Sequence, residues 1–250
     1  MRLTIIGDSI SQGLGRKHYN YCNELKCFFE QETKQNLDIK NLAITGKTIL
    51  YANEIADKIK DTNPDIILIF LGSVDAMVRP QKRFLWNFLP NRYKKNGMLD
   101  PRPFYSSKIY KKIPQKIDSW IRLHLKLILL KINGTYSWVT KDKFKKEYEI
   151  FLKKFINTNI IMVSPVYVDE KFFPKSNENL LSYLEVVKEL AFKYKKSFLD
   201  VYHLQMKKNW NEIYNSDHFH PNELGYTWLA EIISKKLIDD FFEKNKGKLK

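Results

Sequence analysis

Two short segments at opposite ends of this chain carry residues that could act together chemically. Gly7-Asp8-Ser9 follows an apolar run near the start, and Asp217-His218-Phe219-His220-Pro221 lies near the end. A serine hydroxyl is a weak nucleophile until a histidine takes its proton, and a carboxylate then orients the imidazole and stabilises its charged form. Ser9, His220 and Asp217 would fill those three roles, and the Asp-x-x-His spacing lets one turn of chain join carboxylate to imidazole. Taken singly, Gly-Asp-Ser also suits a surface turn, and Asp-x-x-His a helix cap. The pair His218 and His220 beside Asp217 raises a metal site. No further His or Cys cluster completes a ligand set, so no metal and no cofactor is expected.

These residues need a scaffold that brings the chain ends together. Arg2–Ile6, Leu37–Leu42, Asp65–Leu71, Asn159–Val166 and Ser197–Val201 read as strands. The run DIILIFL at Asp65–Leu71 suits a parallel strand buried on both faces. Helical spacing marks Tyr19–Gln35, Ile49–Lys60, Asp142–Phe155, Asn179–Lys195 and Asn222–Phe242. Strands alternating with helices predict an α/β fold with a parallel sheet and helices on both faces. Active sites in such sheets lie beyond the carboxyl ends of the strands. Ser9, Gly46, Gly72–Asp75 and the loop before the last helix fall there.

The chain has 250 residues, 44% hydrophobic and 28% charged, enough for one domain spanning 1–250. Its net charge of +15 implies attraction to anions. The start lacks the apolar stretch of a signal peptide, and no segment reaches the roughly 18 apolar residues that span a bilayer. Cys22 and Cys27 are expected to be free thiols in a reducing compartment. A cytoplasmic location is the expectation.

Four blocks, in order, make the chain similar to the SGNH (GDSL-type) hydrolases. They are Gly7-Asp8-Ser9 with Ile10-Ser11-Gln12-Gly13, then Asn41-Leu42-Ala43-Ile44-Thr45-Gly46, then Gly72-Ser73-Val74-Asp75, and finally Asp217 to Pro221 with Asn222, Gly225 and Tyr226. The resemblance implies a three-layer α/β/α, flavodoxin-like fold. It implies Ser9 as nucleophile, His220 as base and Asp217 as its orienting acid. It also implies an oxyanion hole from the N–H groups of Ser9 and Gly46. The family's third donor is the asparagine of Gly-x-Asn-Asp, and here position 74 is Val. Either Ser73 or Thr45 replaces that donor, or two donors suffice for a reactive ester, or catalysis is lost and binding remains. Asp8, Ser73, Val74, Asp75 and His218 are candidate substrate contacts. Asp75 and Asn41 also read as structural, with Asn41 shaping the turn to Gly46 and His218 lining the cleft entrance. The expected activity is a serine esterase acting on an acylated carbohydrate or lipid-linked glycan, as in bacterial surface-polysaccharide metabolism. An acyltransferase, a lipid or thioester hydrolase, and a catalytically weak glycan- or lipid-binding module are the alternatives.

Residues 79–139 break the alternation, because βα connections usually run about 2–6 residues. This insertion holds 14 Lys and Arg against 2 Asp and Glu, a net +12, with ten aromatic residues. Within it, Ile117–Ile132 reads as a helix with a broad apolar side and the cations Arg122, Lys126 and Lys131. Four readings stand: a cover for the fold with its charges in solvent, a contact for an anionic membrane, a cap gripping a phosphate-bearing substrate, or a nucleic-acid surface. The last ranks lowest because no nucleic-acid motif is present.

Overall fold

The structure, a computed structural model, describes residues 1–15, 20–95, 97 and 99–246. Tyr19, the expected start of the first long helix, and the end of the Lys-rich tail lie outside the described residues. Five parallel strands form the central sheet: β1 (Arg2–Gly7), β2 (Asp38–Asn41), β3 (Ile66–Phe70), β4 (Asn159–Val163) and β5 (Ser197–Leu199). Their order is β2-β1-β3-β4-β5, the flavodoxin-like arrangement. All five β3 residues are buried, as expected of a β-branched and aromatic run between two helical layers.

One layer pairs the helix Cys22–Thr33 with the closing helix Glu223–Lys246. The other packs Ile49–Glu54, Lys141–Lys154 and Ser176–Lys193 side by side. The predicted helix Ile49–Lys60 is two helices, because Ile55 leaves helical geometry between Glu54 and Ala56. Ala52, Ala56 and Ile59 keep one buried face across that break, so apolar spacing alone does not reveal it. Strand β4 stops at Val163, and Pro165 just beyond it has no N–H for the ladder. Strand order reverses between β1 and β3, so the segments after these strands diverge and leave a crevice between them.

The insertion leaves and rejoins the fold through a two-stranded antiparallel ribbon, Arg79–Pro80 against Thr135–Tyr136. Its main element is the helix Ile109–Asn133, which begins eight residues before the predicted Ile117 and carries Pro114 in its second turn. A small second core of Tyr93, Leu99 and Leu129 lies under it. The polarity of this helix is inverted relative to a helix that covers a core with its apolar side. Ser119, Arg122, Lys126 and Asn133 are buried, whereas Ile109, Ile113, Ile117, Trp120, Ile128 and Ile132 are exposed. The reading of Arg122 and Lys126 as solvated charges is therefore corrected: both point inward, where Asp118 and Asp100 meet them. Lys131 remains outside.

Candidate active site

Strand β1 delivers Ser9 to the first position of a short helix, Ser9–Gln12. Asp8 is buried, and its carboxylate accepts the N–H of Ile10 at 3.0 Å, which caps that helix. Asp8 therefore positions Ser9 and lies outside the cleft lining, which corrects the expectation of a substrate contact. Burial, partly offset by that hydrogen bond, pushes its carboxyl up to about 6.

The segment from Asn215 to Asn222 folds back on itself. Asn215 donates its N–H to the His220 carbonyl at 2.9 Å, and His218 takes a left-handed backbone at φ 54°. The Asp217 carboxylate is held by the N–H groups of Phe219 (3.1 Å) and His220 (3.0 Å) through one oxygen. Its other oxygen meets His220 Nδ1 at 2.5 Å, and His220 Nε2 lies 2.8 Å from Ser9 Oγ. With Nδ1 bonded to a carboxylate, Nε2 is the basic nitrogen, and it faces the serine hydroxyl. All three side chains are buried.

The rest of the last block holds this loop in place. Asn222 accepts the Gly225 N–H at 3.0 Å at the start of the closing helix. A side chain at Gly225 would put its Cβ 2.1 Å from the Ile213 carbonyl, so only glycine lets the helix approach the loop. The Tyr226 hydroxyl donates to the Leu14 carbonyl at 3.0 Å and links this helix to the segment after Ser9.

The second block builds the facing wall. Asn41 donates to the Ser11 carbonyl (2.7 Å) and accepts the Ala43 N–H (3.0 Å), which shapes the turn toward Gly46 as expected. Gly46 sits at φ 73°. Among the described residues, the N–H groups of Ser9 and Gly46 have no protein acceptor, and both residues line one cleft. Two undonated N–H groups beside a nucleophile can hold an oxyanion.

The third block explains the missing side-chain donor. Val74 lines the cleft and cannot donate. Ser73 is buried away from the cleft, with its hydroxyl accepting the Val166 N–H at 3.1 Å, so it is neither the replacement donor nor a substrate contact. The Thr45 hydroxyl reaches the cleft wall but donates to Gln12 Oε1 at 2.6 Å. Asp75 is fully buried, and its carboxylate accepts the Ile49 N–H at 3.0 Å. It joins two loops, as the structural reading held, and does not meet substrate. Burial pushes its carboxyl up to about 7. His218 is also outside the cleft lining. It stacks on Phe172 at 4.2 Å and meets Asp169 at 2.7 Å.

The cleft encloses about 370 Å³. Its floor is Ser9, Gly46, Val74 and His220, and apolar residues such as Leu14, Met77, Phe173 and Phe219 line its sides. The remaining wall comes from the insertion: Arg79, Asp100, Arg102, Pro103, Arg122 and Trp138. The Ser216 hydroxyl donates to the Arg102 carbonyl at 3.0 Å, which fastens this wall to the residue before Asp217. Burial lowers the pKa of Arg79 and of Lys126. Burial would raise Asp100, but Lys126 and Arg79 outweigh it and hold that carboxyl below its ordinary value. The sequence offered 79–139 as a cap gripping a phosphate-bearing substrate without assigning it the residues of this wall. Its residues have no fixed spacing, and only the charge surplus of 79–139 hinted at it. Among the described residues no group of His, Cys, Asp and Glu is placed to hold a metal ion.

The GDSL-like lipase/acylhydrolase family matches residues 5–228. No curated protein matches the chain in sequence. Among solved structures, the chain is similar to a lipase/acylhydrolase from Enterococcus faecalis, at 15% identity and a TM-score of 0.63, over 96% of this chain and 97% of that one. It is similar to Axe2, an acetylxylan esterase from Geobacillus stearothermophilus, at 16% identity and a TM-score of 0.61, over 94% and 93% of the two chains. It is also similar to the acetyl xylan esterase AlAXEase, at 17% identity and a TM-score of 0.60, over 93% and 98%. At these identities the likenesses establish the shared fold.

Proposed function

The chain belongs to the GDSL-like lipase/acylhydrolase family and is a carboxylic ester hydrolase, and on that premise we propose that it is a serine esterase that removes short acyl groups from a carbohydrate. The observation that carries this reading is the unbroken line from Ser9 Oγ through His220 to Asp217, at 2.8 and 2.5 Å, beside two undonated N–H groups.

Ser9 Oγ attacks the ester carbonyl as its proton passes to His220 Nε2. Asp217 stabilises the imidazolium. The N–H groups of Ser9 and Gly46 hold the oxyanion. The tetrahedral intermediate collapses, His220 returns the proton to the leaving alcohol, and an acyl-Ser9 remains. Water, losing a proton to His220, then attacks the acyl carbon, and the carboxylic acid leaves as Ser9 regains its proton. With Val74 in place of a donor, the hole has two backbone donors. Removing one donor of this kind costs about 10²–10³ in turnover elsewhere, so this enzyme suits activated or well-anchored esters. The names of two structural relatives as acetylxylan esterases support a short acyl group on a sugar.

Val74 also favours a second reading, a catalytically weak module that binds glycan or lipid in the same cleft. Acetate release from 4-nitrophenyl acetate and from acetylated xylo-oligosaccharides separates the two. The esterase releases acetate from both, and release from the sugar ester exceeds that of a His220→Ala variant. A folded protein that releases acetate from neither is the binding module.

A further inference from the structure

The insertion contributes two faces to the molecule, and each carries its own consequence. The inner face places cations against the cleft. Arg92, Arg102 and Arg122 share one carboxylate, Asp118, at 3.9, 3.3 and 2.7 Å. Lys126 takes Asp100 at 2.5 Å. Arg79 has no ion-pair partner among the described residues. Its guanidinium donates to the carbonyls of Val74 and Met77 at 3.0 Å each and lies 3.8 Å over Trp138, while its Nε is buried without an acceptor. Arg122 and Lys126 are buried and Arg79 is half-buried, so three enclosed cations face two carboxylates, with Arg102 at the cleft edge and Arg92 out in solvent. Of the other carboxylates nearby, Asp217 is held by His220, and Asp75 accepts the Ile49 N–H through one oxygen while its other oxygen is buried without a hydrogen bond. Surplus charge out of water is costly unless an opposite charge joins it. The apolar lining around it strengthens any such pairing.

We propose that Arg79, Arg102 and Arg122 form an anion subsite beside Ser9, so that the preferred ester carries a carboxylate or phosphate group. Guanidinium forks suit both anions, with two parallel hydrogen bonds. The kinetic part of this proposal rests on the esterase reading, and the binding part does not. Two ester pairs locate the anion. Mono-4-nitrophenyl succinate against 4-nitrophenyl acetate places it in the acyl half, and O-acetylglucuronate against O-acetylglucose in the alcohol half. In at least one pair kcat/KM favours the anionic member by about tenfold or more, the size of one charge-assisted hydrogen bond. That ratio falls in Arg102→Gln and in Arg79→Lys. The binding arm uses Ser9→Ala: glucuronate or inorganic phosphate raises its Tm more than glucose does, and the added Arg102→Gln removes the difference. No preference in either pair, together with no anion-dependent Tm, overturns the subsite and leaves the cations as braces for the cap. Inert esters with a retained anion-dependent Tm keep the subsite and reject the esterase.

The outer face supports a separate inference from different residues. Ile109, Ile113, Ile117, Trp120, Ile128 and Ile132 recur at helical spacing along one side of Ile109–Asn133, with Ile109 72% and Trp120 61% exposed. At 1.5 Å per residue this helix is about 37 Å long. Lys108, Lys111, Lys112, Lys116 and Lys131 are exposed beside the stripe, and Phe84, Phe88 and Phe104 are exposed elsewhere in the insertion. Both acidic residues of the insertion are turned inward to cations. We infer that this face docks on an anionic lipid surface, with isoleucines and Trp120 in the acyl boundary and lysines at the headgroups. A second copy would bring the same lysines and repel the first. The protein is expected to sediment with vesicles of 70% phosphatidylcholine and 30% phosphatidylglycerol at least tenfold more than with phosphatidylcholine alone. Ile113→Asp with Ile117→Asp abolishes this without changing Tm. No binding to the anionic vesicles, undiminished binding by the double variant, or a dimer in light scattering that the variant dissolves would overturn the inference.

Discussion

Ile5, Ile6, Ile67 and Ile69 in the sheet are almost wholly enclosed, whereas Ile109, Ile113, Ile117 and Ile132 on the insertion helix lie in the open. Two cations of the insertion, Arg122 and Lys126, are by contrast enclosed, while most cations of the main fold are exposed. Both regions have clear apolar periodicity, and they use it in opposite directions. The sheet strands are apolar on both faces, so they have to be enclosed. The insertion helix mixes apolar and basic residues on both sides, with Arg122, Lys126 and Leu129 inside and isoleucines and lysines outside, and its orientation depends on what each side meets. Here Asp100, outside the helix, meets Lys126 on the inner side, while Asp118 pairs with Arg122 along the helix itself.

If chemistry belongs to the framework, the largest effects must fall there. His220→Ala and Asp217→Asn should each lower kcat for 4-nitrophenyl acetate by about 10⁴-fold or more, with little change in Tm. Comparable losses from Arg102→Gln on that neutral ester would break the division between the regions.

The next effect is a pH dependence set by the framework's buried carboxyls. Asp75 is raised to about 7 and Asp8 to about 6 in the folded protein, each above the ordinary 3.8. Between those values the folded state binds more protons than the unfolded state, so this contribution to stability is full below about pH 4 and is lost as pH rises toward 7. For Asp75 the span corresponds to about 4 kcal/mol. Urea unfolding between pH 5 and 7.5 should show stability falling with pH in the wild type and a clearly flatter profile in Asp75→Asn. An unchanged slope would show that Asp75 titrates normally.

Matched isoleucines test the contrast of burial directly. Ile5→Ala should cost about 3–4 kcal/mol by cavity formation, and Ile117→Ala less than about 0.5 kcal/mol. Equal costs would mean that the outer face of the insertion is covered. The last predicted effect concerns the buried ion pair, and it is smaller than the loss from Ile5→Ala. Lys126→Met should cost about 2–3 kcal/mol by stranding Asp100, and adding Asp100→Asn should recover most of it. A double variant no more stable than the single one would show that the pair is not coupled.

Most of the framework was legible in the chain. The strands, their alternation with helices and the meeting of Ser9 with Asp217 and His220 follow from local patterns and from blocks at fixed positions after strands. Side-chain roles set by long-range packing were not. Asp8, Ser73 and His218 stand in or beside the motifs, yet their partners are Ile10, Val166 and Asp169, and two of those lie far along the chain. The Arg79, Arg102 and Arg122 wall is assembled from three separated segments, so no spacing announces it. The insertion helix begins eight residues before Ile117 and accommodates Pro114 in its second turn, which apolar spacing does not reveal.

The central claim is that Ser9 is the nucleophile, activated by His220 in the cleft beneath the insertion. A fluorophosphonate probe with peptide mapping tests it most directly. One adduct on the peptide that holds Ser9, absent from Ser9→Ala and strongly reduced in His220→Ala, is the predicted result. An adduct on another residue, or ester hydrolysis that survives Ser9→Ala, would contradict it.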